Sequence, residues 1–139
     1  MVLPRLSPTG AEVSLVTDAL TPNGATVNDG VTGEVAALAN QTIDDNGDTL
    51  AFFSGTLNAT ASAALTALVE LTTDDGSGAV VRYSTTVTMP TAAAVNSAAL
   101  PSVPVLIPPG ELNLAVRITP TGGNAATTGG VFTLTSLKF

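Results

Sequence analysis

Hydrophobic and polar residues alternate without a break from Leu112 to Thr119. A period of two places successive side chains on opposite faces, so this segment is predicted as a β-strand with one face in a core. Residues 108–110, Pro-Pro-Gly, precede it, and Pro120 with the polar run through Asn124 follows it. Because proline lacks a ladder donor and glycine weakens a strand, both ends of the strand are expected at those positions.

The same alternation recurs along most of the chain, interrupted by turn residues every ~8 to 12 positions. The predicted strands are residues 12–17, 31–39, 50–57, 65–73, 79–89, 103–107, 112–119 and 131–139. About eight or nine short strands with such spacing are typical of a sandwich or barrel, and this number suits a jelly roll. The sequence therefore predicts an all-β fold, a single jelly-roll sandwich of antiparallel strands over residues 11–139.

Residues 58–71 admit two interpretations. The apolar residues from Leu65 to Leu71 recur at every second position, which favours a strand. The apolar residues from Ala61 to Leu68 would also line one side of a helix capped by Thr60 or Ser62. We predict the strand and keep the helix as its alternative.

Prolines predict where the strands in the second half of the chain end or lie at an edge. Pro104 marks residues 103–107 as an edge strand, because proline cannot donate a ladder hydrogen bond. Residues 91–100 lie between two prolines and are expected to form a crossing connection, with one or two helical turns or a long loop. A loop rich in glycine and threonine is expected over residues 120–130.

Two strands are predicted to contain β-bulges. Gly33 interrupts the apolar face of residues 31–39, and a glycine inside a strand often marks a bulge. In the last strand the apolar positions change phase near Thr135 and Ser136. A bulge there, or burial on both faces, would explain the change.

Residues 50–57 are apolar on both faces, with Leu50 and Phe52 on one and Phe53 and Leu57 on the other. One face should meet the core and the other a partner. The last strand has the same two-faced character. We predict that a subunit interface contains Leu50, Phe52, Phe132 and Leu134.

Residues 1–10 carry Val2, Leu3 and Leu6 around two prolines, a pattern that fits neither a helix nor a central strand. An extended N-terminal arm is predicted. Such an arm is either a frayed terminus or a segment that lies on a neighbouring subunit.

The densest acidic cluster, residues 44–48, could be a calcium-binding loop. An EF-hand loop needs glycine at its sixth position and glutamate at its twelfth, where this chain has Thr49 and Gly55. Asn46-Gly47 is a strong signal for a tight hairpin turn. We predict a turn and no metal site.

Charged residues make up only 11% of the 139 residues, where about 25% is ordinary, while 45% are hydrophobic. Four basic residues against eleven acidic ones give a net charge of −7, so neither nucleic acid nor an anionic membrane is an expected partner. The apolar runs are far shorter than the ~18 residues of a membrane helix. A surface that is apolar and has few charged residues is therefore expected to be covered by other protein chains.

The residue types that carry most catalysis are missing. The chain has no histidine and no cysteine, which removes the usual base, metal ligands and thiol nucleophile. The carboxylates of residues 44–48 and 74–75 lie in turn-like sequences that favour aspartate for backbone reasons alone. We predict that the protein is not an enzyme, needs no cofactor and has no small-molecule ligand. The start, MVLPRLSPTG, lacks the pattern of an export signal, which favours synthesis in a cytoplasm.

Several local sequences resemble jelly-roll modules of the tumour-necrosis-factor-like or carbohydrate-binding kind. They are the strand Phe53 to Leu57, the turn Asp74-Asp75-Gly76, Pro109-Gly110 before Leu112-x-Leu114-x-Val116, and Gly130-x-Phe132-x-Leu134. The profile as a whole resembles that of small bacteriophage head decoration (cement) proteins, which form trimers on the capsid exterior and clamp neighbouring major capsid subunits.

This resemblance implies a homotrimer on the outer surface of a virion, with the major capsid protein as its partner. The capsid contacts would then come from the arm, through Val2, Leu3, Arg5 and Leu6. The alternative is a carbohydrate-binding or receptor-binding jelly-roll module, for example part of a phage tail or spike. That alternative requires exposed aromatic rings, yet Tyr83 is the only Tyr or Trp in the chain.

Overall fold

The computed structural model describes residues 14–38, 49–110 and 113–138. In these ranges every regular element is a β-strand. The strands are β1 (Ser14–Leu20), β2 (Thr26–Val27), β3 (Gly33–Leu38), β4 (Thr49–Ala61), β5 (Leu65–Asp74), β6 (Ala79–Met89), β7 (Val95–Ile107), β8 (Asn113–Thr121) and β9 (Ala125–Lys138). The N-terminal arm, the cluster at residues 44–48 and Leu112 lie outside the described residues.

The strands form two antiparallel sheets that pack as a sandwich. One sheet has the order β1-β9-β4-β7, with β2 pairing further along β9, and the other has the order β3-β8-β5-β6. Early strands pair with late ones in nested fashion, β1 with β9, β3 with β8, β4 with β7 and β5 with β6. The chain is thus one long ribbon, folded at the β5–β6 hairpin and rolled so that β4 meets β9 and β5 meets β8. This nested pairing is the jelly-roll connectivity and confirms the predicted fold.

The core lies between the two sheets and is built from the alternating apolar positions. Phe53 of β4 and Phe132 of β9 stack with ring centroids 6.0 Å apart, and Tyr83 from the facing sheet lies 6.1 Å from Phe53. Around them pack completely or almost completely buried aliphatic side chains, including Leu20, Val35, Leu57, Leu71, Met89, Ile107, Leu114, Ile118 and Leu134. Burial of this apolar area is the main stabilising contribution.

The region predicted as either strand or helix is strand, turn and strand. β4 runs to Ala61, a turn follows at residues 62–64, and β5 begins at Leu65. The alternating residues from Leu65 to Leu71 are buried as predicted. The helix alternative is therefore wrong.

The connection predicted at residues 91–100 does cross from the four-stranded to the five-stranded sheet, but it is shorter than predicted, because β7 already begins at Val95. The side chain of Asn96 closes a short turn. Its Oδ1 accepts from Thr91 N at 3.0 Å, and its Nδ2 donates to Thr91 O at 2.9 Å and to Ala94 O at 3.1 Å. β7 lies at the edge of its sheet, which confirms the position predicted from Pro104, and it contains Pro101 as well.

Two predicted bulges are displaced. The bulge in β3 lies at Val35, between the pairs of Glu34 and Ala36, and not at Gly33. Gly33 instead leaves room for Val27, whose Cγ2 would be 2.7 Å from an added Cβ. In β9 the register is continuous past Ser136, and the bulge lies at Thr128, which has no partner opposite β4.

β9 is longer than its sequence predicts, since it begins at Ala125 and includes both Gly129 and Gly130. β8 similarly continues through Pro120. β3 stops pairing with β8 at Ile118, so the N–H that Pro120 lacks falls beyond the end of that strand. Only residues 122–124 remain of the predicted loop.

Hydrogen bonds tie together the turns at the end of the sandwich where β8 meets β9. Asp29 Oδ1 accepts from Gly122 N at 2.9 Å, and Asp29 N donates to Asn124 Oδ1 at 2.9 Å. Asn124 N in turn donates to Ser62 Oγ at 2.7 Å. Three connections that are distant in the sequence are thereby fixed to one another.

The opposite end holds the β5–β6 hairpin, which confirms the predicted turn at residues 74–78. Asp74 Oδ1 accepts from Gly76 N at 2.6 Å and from Gly78 N at 3.1 Å. The Asp75 carboxylate accepts from the hydroxyl and the amide of Ser77, and these bonds lower the pKa of Asp75. Both aspartates therefore have a backbone role, as the sequence predicted.

The closest approach of two strands gives a test of the β4–β9 pairing. Gly130 has a φ of 101°, and an added Cβ would overlap the Thr56 carbonyl oxygen. Gly130→Ala should lower the free energy of unfolding by about 2 to 5 kcal/mol, from the left-handed conformation and the steric overlap together. The control is Gly24→Ala, where φ is 78° but no atom lies within 4 Å of the Cβ. Equal losses for both variants in urea unfolding would show that the strands do not approach so closely.

A matched pair of truncations on β5 tests which face is in the core. Leu71 is fully buried, whereas Leu68 is 37% exposed on the outer side of the same strand. Leu71→Ala should cost about 2 to 5 kcal/mol, and Leu68→Ala less than about 1 kcal/mol. Thermal or urea unfolding of both variants provides the measurement. A larger loss for Leu68→Ala would mean that the alternation is assigned to the wrong faces.

Candidate functional site

The outer face of the five-stranded sheet has no charged side chain among the residues that the structure describes there. Paired residues of an antiparallel sheet share a face, so the strand register identifies the members of this outer face. They are Thr17, Ala19, Leu50, Phe52, Ser54, Thr56, Asn58, Thr60, Val95, Ser97, Ala99, Pro104, Leu106, Val131, Thr133 and Thr135. A strand surface open to water ordinarily carries charges, so this face has the composition of a covered surface.

An apolar patch occupies one side of the outer face, on β4 and β7. Leu50 lies opposite Leu106, and Phe52 lies opposite Pro104. Leu106 is 62% exposed and Phe52 is 39% exposed. These four residues form a contiguous apolar surface, which we call the apolar patch.

A hydroxyl region occupies the other side, on β1, β9 and the adjoining part of β4. The Oγ1 atoms of Thr17 and Thr135 are 3.0 Å apart, and Ser54 Oγ lies 3.0 Å from Thr133 Oγ1. In each pair one hydroxyl donates to the other. Because these hydroxyl groups already have partners, a second protein can cover them with a smaller loss of hydrogen bonding to water.

The outer face of the four-stranded sheet is different, because it is charged. Arg117 Nε donates to Glu70 Oε1 at 3.0 Å, and Glu34 lies opposite Arg117 on the other side. Arg82 lies at the bulge of β6 and is not part of this charged outer face, because its Nε donates to Oγ1 of the buried Thr73 at 2.7 Å. The two outer surfaces of the sandwich are thus chemically distinct.

A shallow groove of about 360 Å³ lies on the four-stranded sheet near the β5–β6 hairpin. Its described lining includes Glu34, Asp74 and Asn113 between short side chains such as Ala37 and Ala115. None of its described lining residues is aromatic, and Tyr83 packs against Phe53 instead. The described lining therefore offers no stacking surface of the kind that sugar binding commonly uses.

Within the described ranges no three histidine, cysteine, aspartate or glutamate side chains are grouped so that they could hold a metal ion. A search of the same ranges for a helix that could cross a membrane also finds none. The prediction about residues 44–48 lies outside these ranges and stays a prediction.

The residues predicted for a subunit interface separate into two pairs. Leu50 is half-buried and Phe52 is exposed, and both belong to the apolar patch. Phe132 and Leu134 are fully buried between the sheets and have no area left for a second subunit. The interface prediction is corrected for that pair and stays a prediction for Leu50 and Phe52. The predicted capsid contacts Val2, Leu3, Arg5 and Leu6 lie outside the described residues.

Sequence reasoning missed Leu106 and Pro104. The alternation over residues 103–107 already placed them on the face opposite Val103, Val105 and Ile107. What it lacked was the register, since only the pairing of β4 with β7 brings Leu106 beside Leu50. A patch formed across two strands cannot be found from either strand alone.

Comparison with known proteins finds likeness at the level of the fold. No protein-family model matches the chain, and neither does any curated protein sequence. A structure of Eiger, a TNF from S. frugiperda, aligns with 90% of this chain and 92% of its own length at 11% identity, with a TM-score of 0.57. A chain of the T13 IBDV viral particle aligns with 99% of this chain at 14% identity, with a TM-score of 0.56. This protein spans only 39% of that viral chain. Both similarities show a shared jelly-roll fold.

Proposed function

We propose that this protein is a structural component of a virion, a decoration (cement) protein that binds the outer surface of a capsid as a homotrimer and stabilises contacts between major capsid subunits. The observation that carries the proposal is the outer face of the five-stranded sheet, whose described residues carry no charge and on which Leu106 and Phe52 are exposed. A surface of this kind gains free energy when another protein covers it. The function is association, and the protein is not an enzyme.

The size of the gain is appreciable for a small protein. Full burial of an exposed Leu or Phe side chain contributes about 1.5 to 3 kcal/mol, and each of the three such side chains of the apolar patch can gain the part of this that its exposed fraction leaves, most of all Leu106 at 62%. The like charges of several copies, with −7 on each, oppose association. Contacts made through an uncharged face keep that opposition small.

The jelly-roll fold supports the proposal in a general way, because a chain of the IBDV particle contains the same fold. The argument against the other candidate function is more specific than this likeness of fold. A carbohydrate-binding or receptor-binding module would need a site with exposed rings, and the groove on the four-stranded sheet has none among its described lining residues. We therefore favour the structural role.

The capsid contact is assigned to the N-terminal arm. Val2, Leu3 and Leu6 are apolar side chains in a segment rich in proline, and Arg5 could donate a charge-assisted hydrogen bond to a capsid carboxylate. Three arms on one trimer would act together through effective concentration, so no single contact must be strong. The protein would be made in the host cytoplasm and join the shell afterwards.

The proposal predicts that the purified protein has the mass of a trimer and adds to purified shells that lack it. Because the clamp binds only the finished surface, it should raise the temperature at which the shells break open without being required for their assembly. Sedimentation gives the mass, and co-sedimentation with shells followed by a thermal-release assay gives the rest. A monomer that does not co-sediment with any shell of its own virus would contradict the proposal.

Deletion of residues 1–8 tests the arm separately. The shortened chain should remain a folded oligomer, since the described sandwich begins later, at Ser14. Its affinity for shells should fall by at least about tenfold, the loss that about 1.4 kcal/mol of contact energy produces. A control with the same length, in which Val2, Leu3 and Leu6 are replaced by Ser, should behave like the deletion. Unchanged affinity in both would show that the arm is an ordinary chain end.

A further inference from the structure

We infer that the occupant of the outer face is a second copy of this chain, arranged head to tail, so that the apolar patch of one copy packs on the hydroxyl region of the next. This inference rests on the proposed homotrimer and identifies its interface. Three such contacts related by a threefold axis use both regions of every copy. The ring is then closed.

The absence of charge on the face identifies the kind of partner. A partner that brought a charged side chain to this face would leave it buried without an opposite charge, which is strongly unfavourable. The partner must therefore be uncharged over a comparable area. The outer face of another copy meets that condition in all its described residues, whereas the other sheet, with Glu34, Glu70 and Arg117, does not.

The area of the face limits how much surface each contact can bury. Four strands lie side by side, and β4 is thirteen residues long. With strands about 4.8 Å apart and a rise of about 3.3 Å per residue, the whole face measures roughly 800 Å², which is what one partner buries in a standard interface. In a ring each copy shares this face between two neighbours, so one contact buries only about 400 Å² per copy, and the standard area per copy is reached only when both regions are covered.

The division of the face into two regions determines the arrangement. The apolar patch lies on β4 and β7 at one side, and the hydroxyl region lies on β1 and β9 at the other. Contact of patch with patch would leave the hydroxyl region uncovered and join only two copies. A contact between different regions leaves one copy with a free hydroxyl region and the other with a free apolar patch, so further copies can add until the ring closes. The paired hydroxyls Thr17–Thr135 and Ser54–Thr133 allow the second region to be covered without unpartnered groups.

The experiment uses the full chain and three lysine substitutions. Leu106→Lys places a charge in the apolar patch, and Thr133→Lys places one in the hydroxyl region. Leu68→Lys is the matched control, because Leu68 is an exposed strand residue on the other sheet. Circular dichroism melts confirm that each variant is folded, and sedimentation at micromolar concentration gives its mass.

The expected result is a trimer for the unsubstituted chain and for Leu68→Lys, and a monomer for each of the other two variants. An equimolar mixture of Leu106→Lys and Thr133→Lys should give a one-to-one pair, because the intact patch of the second variant can still pack on the intact hydroxyl region of the first. Neither variant should form a pair alone. This mixing experiment distinguishes a head-to-tail contact from contact between like regions.

Each other outcome has a definite meaning. If Leu106→Lys stays a trimer, the outer face is not the interface and the inference is wrong, although the proposed decoration function stands. If Leu106→Lys dissociates but Thr133→Lys stays associated, the contact joins patch to patch and the head-to-tail arrangement is wrong. If the unsubstituted chain is a monomer that still adds to shells, the trimer and this inference both fail while shell binding remains.

Discussion

Two stacked β-sheets can bury only one face each, and the distinctive properties of this protein follow from the two faces that remain outside. Packing between the sheets places the rings of Phe53, Phe132 and Tyr83 in the core and fixes every second residue of each strand inward. The remaining residues are free of that constraint. On one sheet they include an ion pair between Arg117 and Glu70, while on the other the described outward residues are uncharged. A sandwich needs no such asymmetry for its own stability, and the proposed association would account for it.

Much of the fold could be predicted because the alternation is local. β8 is the clearest case, since Leu114, Val116 and Ile118 are buried at the positions that the period of two assigns to the core. The turn at residues 74–78 was equally predictable, because aspartate and glycine define it through bonds within the turn itself. Wherever the stabilising partner lies within a few residues, the local structure can be predicted from the sequence alone.

The predictions failed where the partner is distant in the sequence. The first half of β9 has small residues, and it is a strand because β4 lies beside it and accommodates Gly130. β7 begins early because the Asn96 side chain closes the preceding turn, a role that the residue type alone does not reveal. Phe132 and Leu134 were assigned to an interface because apolar character on both faces does not say which face is inside. The register of β9 against β4 decides that question.

The two prolines in β7 have a consequence for how far association can proceed. β7 is one of the two edge strands of this sheet, and Pro101 and Pro104 lack the backbone donors that other residues of β7 have. A strand-rich chain with so few charges would otherwise offer a template on which strands of further molecules could add and grow into a fibril. At the β7 edge the missing donors interrupt the ladder that an added strand would need, so molecules that crowd together there are hindered from extending one another's backbone hydrogen bonding. The proposed association through a face would then not require, or lead to, the addition of strands at this edge.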